Sequence, residues 1–252
     1  MLGKKAGSVL ADSLVLRNPL LRQPQTVTCY AMTDYELNNI DPEDIGDLLA
    51  KVEKSFSIKF VGNELVGLST FGELCDHITN KIELDHSDNC TKQQAFYKLR
   101  NAISSTLNID NVKIDTLLAD ILPRKNRLSA VRQIENKLGF KLSFLRPTYL
   151  VSGTLLIVLF ASFVGLFINW KFGLSGLFFS IAGLHLANKF GKEIDLKTVG
   201  ELTEKMAREN YLKSRRNSTT VNKNELENIL QEWFSKDLDL DKAALRRDAK
   251  FV

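Results

Sequence analysis

Apolar residues in the first half of the chain recur three and four positions apart, which is the spacing of one buried face of an α-helix. In residues 41–82 this spacing predicts two helices, one starting at Asp41 and one at Thr70. An aspartate before a proline is a good helix N-cap, and Thr70 with Glu73 three positions later forms a capping box. The same spacing predicts two more helices in residues 91–138. The pattern therefore predicts an all-α fold.

The pattern changes between residues 147 and 188, because Lys171 is the only Lys, Arg, Asp or Glu in these 42 residues. Residues 149–170 are an uncharged run of 22, or about 33 Å as a helix, which is enough to cross the hydrocarbon core of a membrane. Residues 172–190 form a shorter, less apolar second run. Together they predict a transmembrane helical hairpin over 147–190. A hairpin buried in a soluble protein would show a polar stripe, and the first run has none.

The basic residues beside the hairpin indicate its orientation, because the cytoplasmic flanks of membrane spans are enriched in Lys and Arg. Lys171 stands alone at the tip. Six basic residues flank the two ends: Lys137, Lys141, Arg146, Lys189, Lys192 and Lys197. We therefore expect an integral membrane protein with both termini in the cytoplasm and the lipid bilayer as its first partner. A bacterial inner membrane is the expected location.

The overall composition changes this picture little. The chain holds 34 Lys and Arg against 30 Asp and Glu, and a net charge of +4 is too weak to indicate nucleic acid as a partner. Three cysteines without a CxxC pair indicate reduced thiols in a cytosolic compartment. Residues 1–33 predict an N-terminal tail rather than a signal peptide, because Asp12 and Arg17 interrupt their apolar run.

A short motif occurs twice in the chain. Residues 69–78 read STFGELCDHI and residues 197–206 read KTVGELTEKM, so T-[FV]-G-E-L is an internal repeat. The repeat and the hairpin together divide the chain into an N-terminal tail (1–33), unit one (34–82), the first part of unit two (91–146), the membrane hairpin (147–190), the last helix of unit two (191–214), and a C-terminal helix and tail (215–252).

The order of these motifs resembles that of a known family. In unit one a helix ends in FSIKF, a linker follows, and T-F-G-E-L opens the next helix. This layout resembles the acyl carrier protein family between its second and fourth helices. The resemblance implies a four-helix bundle for each unit. The fold class expected for the whole chain is therefore all-α, with acyl-carrier-like four-helix bundles plus a transmembrane helical hairpin.

The family carries phosphopantetheine on a serine, in an Asp-Ser-Leu motif at the start of its second helix. In this sequence the serine position falls on Asp44 in unit one and on Arg127 in unit two. Ser129 is near, but no aspartate precedes it, and a solvated serine in a first helical turn is the simpler interpretation. The resemblance therefore implies two degenerate, phosphopantetheine-free copies, and no cofactor is expected.

The C-terminal residues 222–252 resemble the first helix and following loop of a carrier. Unit one has no obvious first helix before Asp41. We hypothesise that residues 222–252 complete residues 34–82 as a circularly permuted bundle, which neighbouring chain termini permit. An independent amphipathic tail and a truncated third unit are the alternatives.

The second helix of unit two begins with a basic face, where members of the carrier family are acidic. Its residues Arg124, Lys125, Arg127 and Arg132 are the predicted partner or lipid contact. Anionic headgroups, the acidic start of unit one and an acidic partner protein are the three candidates for what this face binds. The resemblance implies an unknown protein partner from fatty-acid or polyketide metabolism, although the family's ordinary basic partners would be repelled.

Neither a catalytic site nor a metal site is predicted. Cys75, His77, Asp85, His86 and Cys90 are close in sequence, but their spacings match no common zinc module. The chain has no nucleophile elbow, phosphate-binding loop or metalloprotease motif. We expect a membrane-anchored, non-catalytic docking or scaffold protein. A genuine acyl or peptidyl carrier with an off-pattern serine, and an accessory subunit of a membrane transport complex, are the alternatives.

Overall fold

The structure is a computed structural model that describes residues 41–251, so the predicted tail (1–33) and residues 34–40 of unit one lie outside the described residues. Most described residues are helical, which confirms the all-α prediction. The helices are α1 (Pro42–Phe56), α2 (Phe71–Lys81), α3 (Thr91–Leu107), α4 (Leu118–Ile121), α5 (Arg127–Leu138), α6 (Tyr149–Ile168), α7 (Trp170–Lys189), α8 (Val199–Glu209), α9 (Tyr211–Ser214) and α10 (Lys223–Asp237). The short strands are β1 (Asp85–His86), β2 (Leu145–Arg146), β3 (Glu193–Ile194) and β4 (Thr220–Val221), with β1 parallel to β4 and β2 antiparallel to β3.

The helix starts follow the capping residues that the sequence predicts. Asp41 caps α1 by accepting a hydrogen bond from the backbone N–H of Glu43 at 3.0 Å. Thr70 and Glu73 form the reciprocal capping box of α2. Thr198 caps α8 through its hydroxyl, which accepts from the backbone N–H of Glu201 at 3.2 Å, while the Glu201 carboxylate accepts from Lys197 N. Each cap satisfies a backbone donor that the first helical turn leaves free.

The first core joins the two ends of the described chain. Helices α1, α2 and α10 supply most of it, and Trp233 and Phe71 at its centre are fully buried. Its buried residues are Ile45, Leu48, Leu49, Val52, Phe56, Phe60, Leu65, Phe71, Leu74, Cys75, Ile78, Ile82, Tyr211, Val221, Leu226, Ile229, Leu230, Trp233, Phe234, Leu245 and Phe251. Residues from 222–251 therefore pack with residues from 45–82, while the interpretation of this arrangement as a permuted carrier bundle stays a prediction.

The second core is built from residues that come before and after the hairpin in sequence. Helices α3, α4 and α5 precede the hairpin and α8 follows it. The buried residues are mainly small and aliphatic: Ala95, Leu99, Ala102, Ile103, Val112, Leu118, Ile121, Leu122, Ala130, Val131, Ile134, Leu138, Phe140, Leu142, Phe144, Val199, Leu202, Met206 and Ala207. The hairpin therefore interrupts a core that forms from the residues around it.

Each of the two cores has the same pattern of backbone contacts at its copy of the T-x-G-E-L motif. In each core a loop runs antiparallel to the start of the motif helix, at the isolated bridges Thr70–Lys250 and Leu117–Thr198. In the first core the hydrogen bonds are Phe71 N to Ala249 O, Gly72 N to Arg247 O and Phe251 N to Ser69 O; in the second they are Val199 N to Thr116 O, Gly200 N to Ile114 O and Leu118 N to Lys197 O. The repeated motif therefore marks a repeated piece of structure.

The ends of α1 and α5 also match. Glu53 accepts from the backbone N–H of Phe60 at 2.6 Å, and Glu135 accepts from that of Leu142 at 2.8 Å, so both residues of the pair are displaced by 82 positions. The same displacement places Ile45 opposite Arg127. The sequence correspondence that set Asp44 against Arg127 is therefore one residue off, and the residue equivalent to Asp44 is Asn126. Neither unit has a serine at this place.

Helices α6 and α7 form an antiparallel pair joined by one residue, Asn169, which also caps α7. Small residues of α7 lie against α6. An added Cβ at Gly173 would lie 2.6 Å from the backbone nitrogen of Leu166, and one at Gly183 would lie 2.9 Å from a methyl carbon of Leu155. Glycines at these places let the two helices approach closely, as in packed membrane helices.

Among the described helices, α6 is the one that is long and apolar enough to cross a membrane, and no residue of α6 is buried in the structure. Helix α7 has the same length but does not reach the same apolarity. The prediction of a membrane span is therefore supported by length and composition for α6, and the second span of the predicted hairpin stays a prediction.

One buried side chain links the elements that surround both cores. Arg215 is 1% exposed, although it carries a charge. Its guanidinium donates to Ser87 O, Asn89 O, Thr91 Oγ1, Tyr211 OH and Thr220 Oγ1 at 2.6–3.3 Å. Since Thr91 begins α3 and Tyr211 belongs to the first core, this arginine ties the second core to the first.

Candidate functional site

The four residues of the predicted basic face have different roles in the structure. Arg127 is 7% exposed, and its guanidinium donates to the carbonyl oxygens of Leu122 and Lys192. Burial lowers the pKa of this guanidinium. The prediction of Arg127 as a partner or lipid contact is therefore corrected. Its side chain fastens the start of α5 to the chain that leaves the hairpin.

The other three residues remain at the surface but are not equivalent. Arg124 forms an ion pair with Glu193, on the strand that follows the hairpin. Lys125 and Arg132 are exposed and have no ion pair with any residue that the structure describes. Among the described residues, no ion pair joins this face to the acidic start of unit one. Arg132 is the member that lines a cavity.

This cavity has a volume of about 800 Å³ and lies between α5, the segment that connects α5 to α6, and the C-terminal end of α7. We call it the basal cavity, and its lining residues are Leu128, Val131, Arg132, Glu135, Asn136, Gly139, Phe140, Lys141, Ser143, Phe144, Leu145, Asn188, Lys189 and Gly191. Volumes of about 300–1,000 Å³ are typical of small-molecule sites. The basal cavity is therefore large enough for a ligand.

The charge of the basal cavity comes from three cations and one acid. Arg132, Lys141 and Lys189 line it, and none of them forms an ion pair with a described residue. The one acidic lining residue, Glu135, already accepts a hydrogen bond from the backbone N–H of Leu142. The formal charge of the wall is therefore positive, and apolar residues such as Leu128 and Leu145 line the cavity together with the cations.

The basal cavity lies beside the place where the chain enters and leaves the hairpin. Strand β2, just before α6, pairs with β3, just after α7, through Leu145–Ile194 and Arg146–Glu193. An added Cβ at Gly191 would lie 2.5 Å from the carbonyl carbon of Arg146, so the two chain segments touch. A ligand in the cavity would therefore sit at one end of the α6–α7 pair.

The remaining candidate residues do not come together into a site. Among the described residues, no group of three or more His, Cys, Asp and Glu side chains is placed to hold a metal ion. Cys75 is buried in the first core, and burial, with the nearby charge of Glu227, raises its pKa to about 12. Cys90 is exposed at the start of α3. Ser129 is exposed, and its hydroxyl lies 3.4 Å from Gln133 Nε2.

Two residues of the basal cavity, Lys141 and Lys189, were interpreted from the sequence only as signals of membrane orientation. They are 48 positions apart, and the hairpin separates them. Their sequence neighbourhood gives no sign that they share a cavity with Arg132. The signal that was available is that basic residues lie on both flanks of the hairpin, whose two ends must lie close together.

Comparison with known proteins gives no match: no family model matches the chain, and neither a curated protein nor a solved structure does. The resemblance to acyl carrier proteins therefore rests on the residues quoted above. It stays an interpretation of the sequence.

Proposed function

We propose that this protein is a membrane-anchored, non-catalytic docking protein, in which two degenerate acyl-carrier-like units lie on the cytoplasmic side and the α6–α7 hairpin holds them at the bilayer. The proposal makes no use of a prosthetic group. It assigns the units to binding a protein partner, which the resemblance places in fatty-acid or polyketide metabolism.

The observation that carries the proposal is the way both cores combine residues from before and after the hairpin. The first core joins residues 45–82 with 211–251, and the second joins residues 95–144 with 199–207. Two halves that share cores must lie on the same side of a membrane. If α6 crosses the bilayer, the chain must therefore cross it again before residue 199, and α7 is the helix available for the return.

The composition of α7 is consistent with that role. Its glycines face α6, and a residue that contacts a neighbouring helix does not need to be apolar toward lipid. Its outward residues include the exposed side chains of Phe178, Phe179 and Ile181. Lys171 and Lys189 lie near its two ends, where long basic side chains reach the headgroup region.

Docking rather than carrying is favoured by the place where the attachment serine would stand. The positions at the start of α1 and α5 are occupied by Asp44 and Asn126, with Arg127 next to the latter and buried. No side chain of these three is a nucleophile that a phosphopantetheinyl transferase modifies. The units would then keep the shape of a carrier without its chemistry.

The experiment has two measurements on the full chain. After expression, carbonate-washed membranes are tested for the protein, and the purified protein is treated with a phosphopantetheinyl transferase and weighed by intact mass spectrometry. We expect the protein to stay in the washed membranes and its mass to stay unchanged. Extraction by carbonate would contradict the anchor, and a mass gain equal to the phosphopantetheine arm would contradict the docking role.

A hairpin-free variant provides the matched control. Since Arg146 and Gly191 are in contact, a short Gly/Ser linker can replace residues 149–189 without moving either. This variant should leave the membrane fraction and keep the helical circular dichroism of the two cores. A variant that stays in the membrane would show that some other segment anchors the chain.

A further inference from the structure

We propose that the basal cavity binds the phosphate headgroup of an anionic membrane lipid, with Arg132, Lys141 and Lys189 as the residues that hold the phosphate. The proposal rests on the membrane anchoring proposed above, because it places the cavity at the cytoplasmic surface of the bilayer. The proposed ligand is a lipid of the cytoplasmic leaflet.

These three cations form no ion pair with a described residue, whereas the neighbouring arginines, Arg124 and Arg146, each form one. Arg124 pairs with Glu193, and Arg146 pairs with Asp195 at 2.6 Å, so carboxylates are available around the base of the hairpin. Arg132, Lys141 and Lys189 nevertheless have no carboxylate partner among the described residues. With Glu135 as the one acidic lining residue, the three cations leave the cavity with an excess of positive charge, and an anion in that space lowers their mutual repulsion.

The second argument concerns the local partial charges. Helices α5 and α7 both end at the basal cavity, and the free carbonyl groups of a helix end carry a partial charge of about −0.5. These two ends together correspond to about one negative charge. They offset one of the three cations and the Glu135 carboxylate offsets a second, since the hydrogen bond from Leu142 N leaves its charge in place. A net positive charge remains for a ligand.

The third argument is the shape and polarity of the wall. A bare inorganic anion needs only polar contacts, whereas the partly exposed apolar side chains of Leu128 and Leu145 also line the basal cavity. A phospholipid has a charged phosphate joined through glycerol esters to apolar acyl chains, so it matches both parts of the wall. Tyr149 and Leu150, at the start of α6, are exposed apolar residues that follow the lining residue Leu145 in sequence.

The fourth argument is the comparison with the first core. The shift of 82 positions that aligns α5 with α1 places Ala50 opposite Arg132 and Lys59 opposite Lys141. Lys189 belongs to the hairpin and has no counterpart. The complete set of three cations is therefore present only beside the hairpin, where a lipid ligand would be available.

The test uses the full-length protein in nanodiscs that contain equal amounts of phosphatidylglycerol and phosphatidylcholine. Native mass spectrometry of the released protein then counts the lipids that stay bound. We expect one phosphatidylglycerol to be retained in preference to phosphatidylcholine. The R132Q/K141Q/K189Q variant should lose this preference by about tenfold or more, since each basic group near an anionic surface contributes to the attraction.

The matched control removes three charges elsewhere. Lys54, Lys59 and Lys250 are exposed and lie away from the basal cavity, so K54Q/K59Q/K250Q should keep the preference at the same net charge as the triple variant. Thermal unfolding of both variants should match that of the wild type, because none of the six side chains is buried. A control variant that also loses the preference would overturn the assignment, since the effect would then come from overall charge.

Further outcomes separate this proposal from the anchor. Equal retention of both lipids by a wild-type protein that stays in carbonate-washed membranes would overturn the cavity proposal and leave the anchor intact. Failure of the wild type to remain in washed membranes would contradict the anchor itself. Binding of inorganic phosphate to the cavity without any lipid preference would overturn the assignment to lipid.

Discussion

The first core and the second core have the same pattern of backbone contacts at the T-x-G-E-L helix. They differ in the segment of chain that comes before this helix. In the first core an eight-residue linker, 61–68, lies between Phe60 and Ser69, and Leu65 in it is buried. In the second core residues 143–196 occupy the same place and include the hairpin, with Phe144 buried near their start. The α6–α7 hairpin therefore stands where the first core has a short linker, which is where a fold accepts an insertion at least cost.

The comparison also separates what the backbone requires from what the side chains can change. Both cores keep a glycine at the second position of the motif helix, because a loop carbonyl lies against it. The side chains around it have diverged. The first core is rich in aromatic residues such as Phe56, Phe234 and Trp233, whereas the second is mostly aliphatic.

The largest effect should come from removing the C-terminal segment. A chain that stops after Val221 loses seven buried residues of the first core, Trp233 and Phe234 among them. Truncating one buried aromatic residue costs about 3–5 kcal/mol, and a whole domain is stable by only about 5–15 kcal/mol. Residues 41–82 should therefore lose their protection from hydrogen exchange, while α3, α5 and α8 keep theirs. Unchanged protection of 41–82 would mean that unit one folds alone.

The next effect should come from Arg215, which connects the two cores. Replacing it with Leu leaves the buried hydroxyl of Thr91 without this donor, at about 1–3 kcal/mol for an unsatisfied buried group. We expect the thermal unfolding of the purified protein to split into two transitions or to shift down as one. Arg216 is exposed and next in sequence, so R216L is the control and should leave unfolding unchanged. Equal behaviour of both variants would contradict the linking role.

A smaller effect should distinguish the two motif glycines. An added Cβ at Gly72 would lie 2.7 Å from the backbone oxygen of Arg247, which cannot move away, so G72A should destabilise by about 1–3 kcal/mol. At Gly200 the nearest atom, at 2.6 Å, is the methyl Cγ2 of Ile114, an exposed side chain that can rotate. G200A should therefore cost less.

Gly46 in α1 serves as the control for both glycine variants, because an added Cβ there meets nothing within 4 Å. Alanine favours a helix over glycine by about 1 kcal/mol, so G46A should leave the protein as stable or make it more stable. Urea unfolding of the three variants measures the order. A larger loss for G200A than for G72A would contradict the argument from the backbone oxygen.

The smallest effect should be the pH dependence that Glu232 adds to the contact between α10 and α3. Burial alone would raise the pKa of this carboxyl group, but the hydrogen bond from Lys92 at 2.7 Å and the charges of Lys92, Lys242 and Lys236 outweigh burial and lower it. A lowered folded-state pKa gives stability that is present above the unfolded value of 4.5 and is lost as pH falls through the folded value.

The E232Q variant should therefore be less stable than the wild type at pH 7, and the difference should shrink as the pH falls below about 4.5. Unfolding in urea at a series of pH values measures this. Glu83 is exposed and forms no ion pair with a described residue, so E83Q is the control and should show no such dependence. A difference between E232Q and wild type that stays constant down to low pH would contradict the ion-pair explanation.

Much of the fold could be predicted from the sequence because its signals are local. The caps at Asp41, Thr70 and Thr198 depend on residues within three positions of each other, and the T-x-G-E-L repeat is visible by comparison of two short segments. The hydrophobic spacing predicts the long helices for the same reason. Local patterns of this kind survive without knowledge of the tertiary structure.

The candidate site was less predictable because its residues meet only in three dimensions. Arginine is usually a surface residue, yet the chain that leaves the hairpin covers Arg127 and accepts its hydrogen bond. Lys141 and Lys189 come from opposite ends of the hairpin. No spacing in the sequence indicates that they share a cavity, since the register of β2 against β3 brings them together.

A hairpin that crosses the membrane twice leaves both cores on one side, and thiol labelling tests this topology directly. In a C29S background, Cys90 is the exposed thiol among the described residues, because Cys75 is buried with a pKa raised to about 12. Labelling of Cys90, and of a K171C variant with Cys90 replaced by Ser, by a membrane-impermeant maleimide is compared in spheroplasts and in inverted vesicles. Cys90 should be labelled only in inverted vesicles, and residue 171 should be labelled only in spheroplasts. Labelling of both from the same side would contradict the transmembrane hairpin.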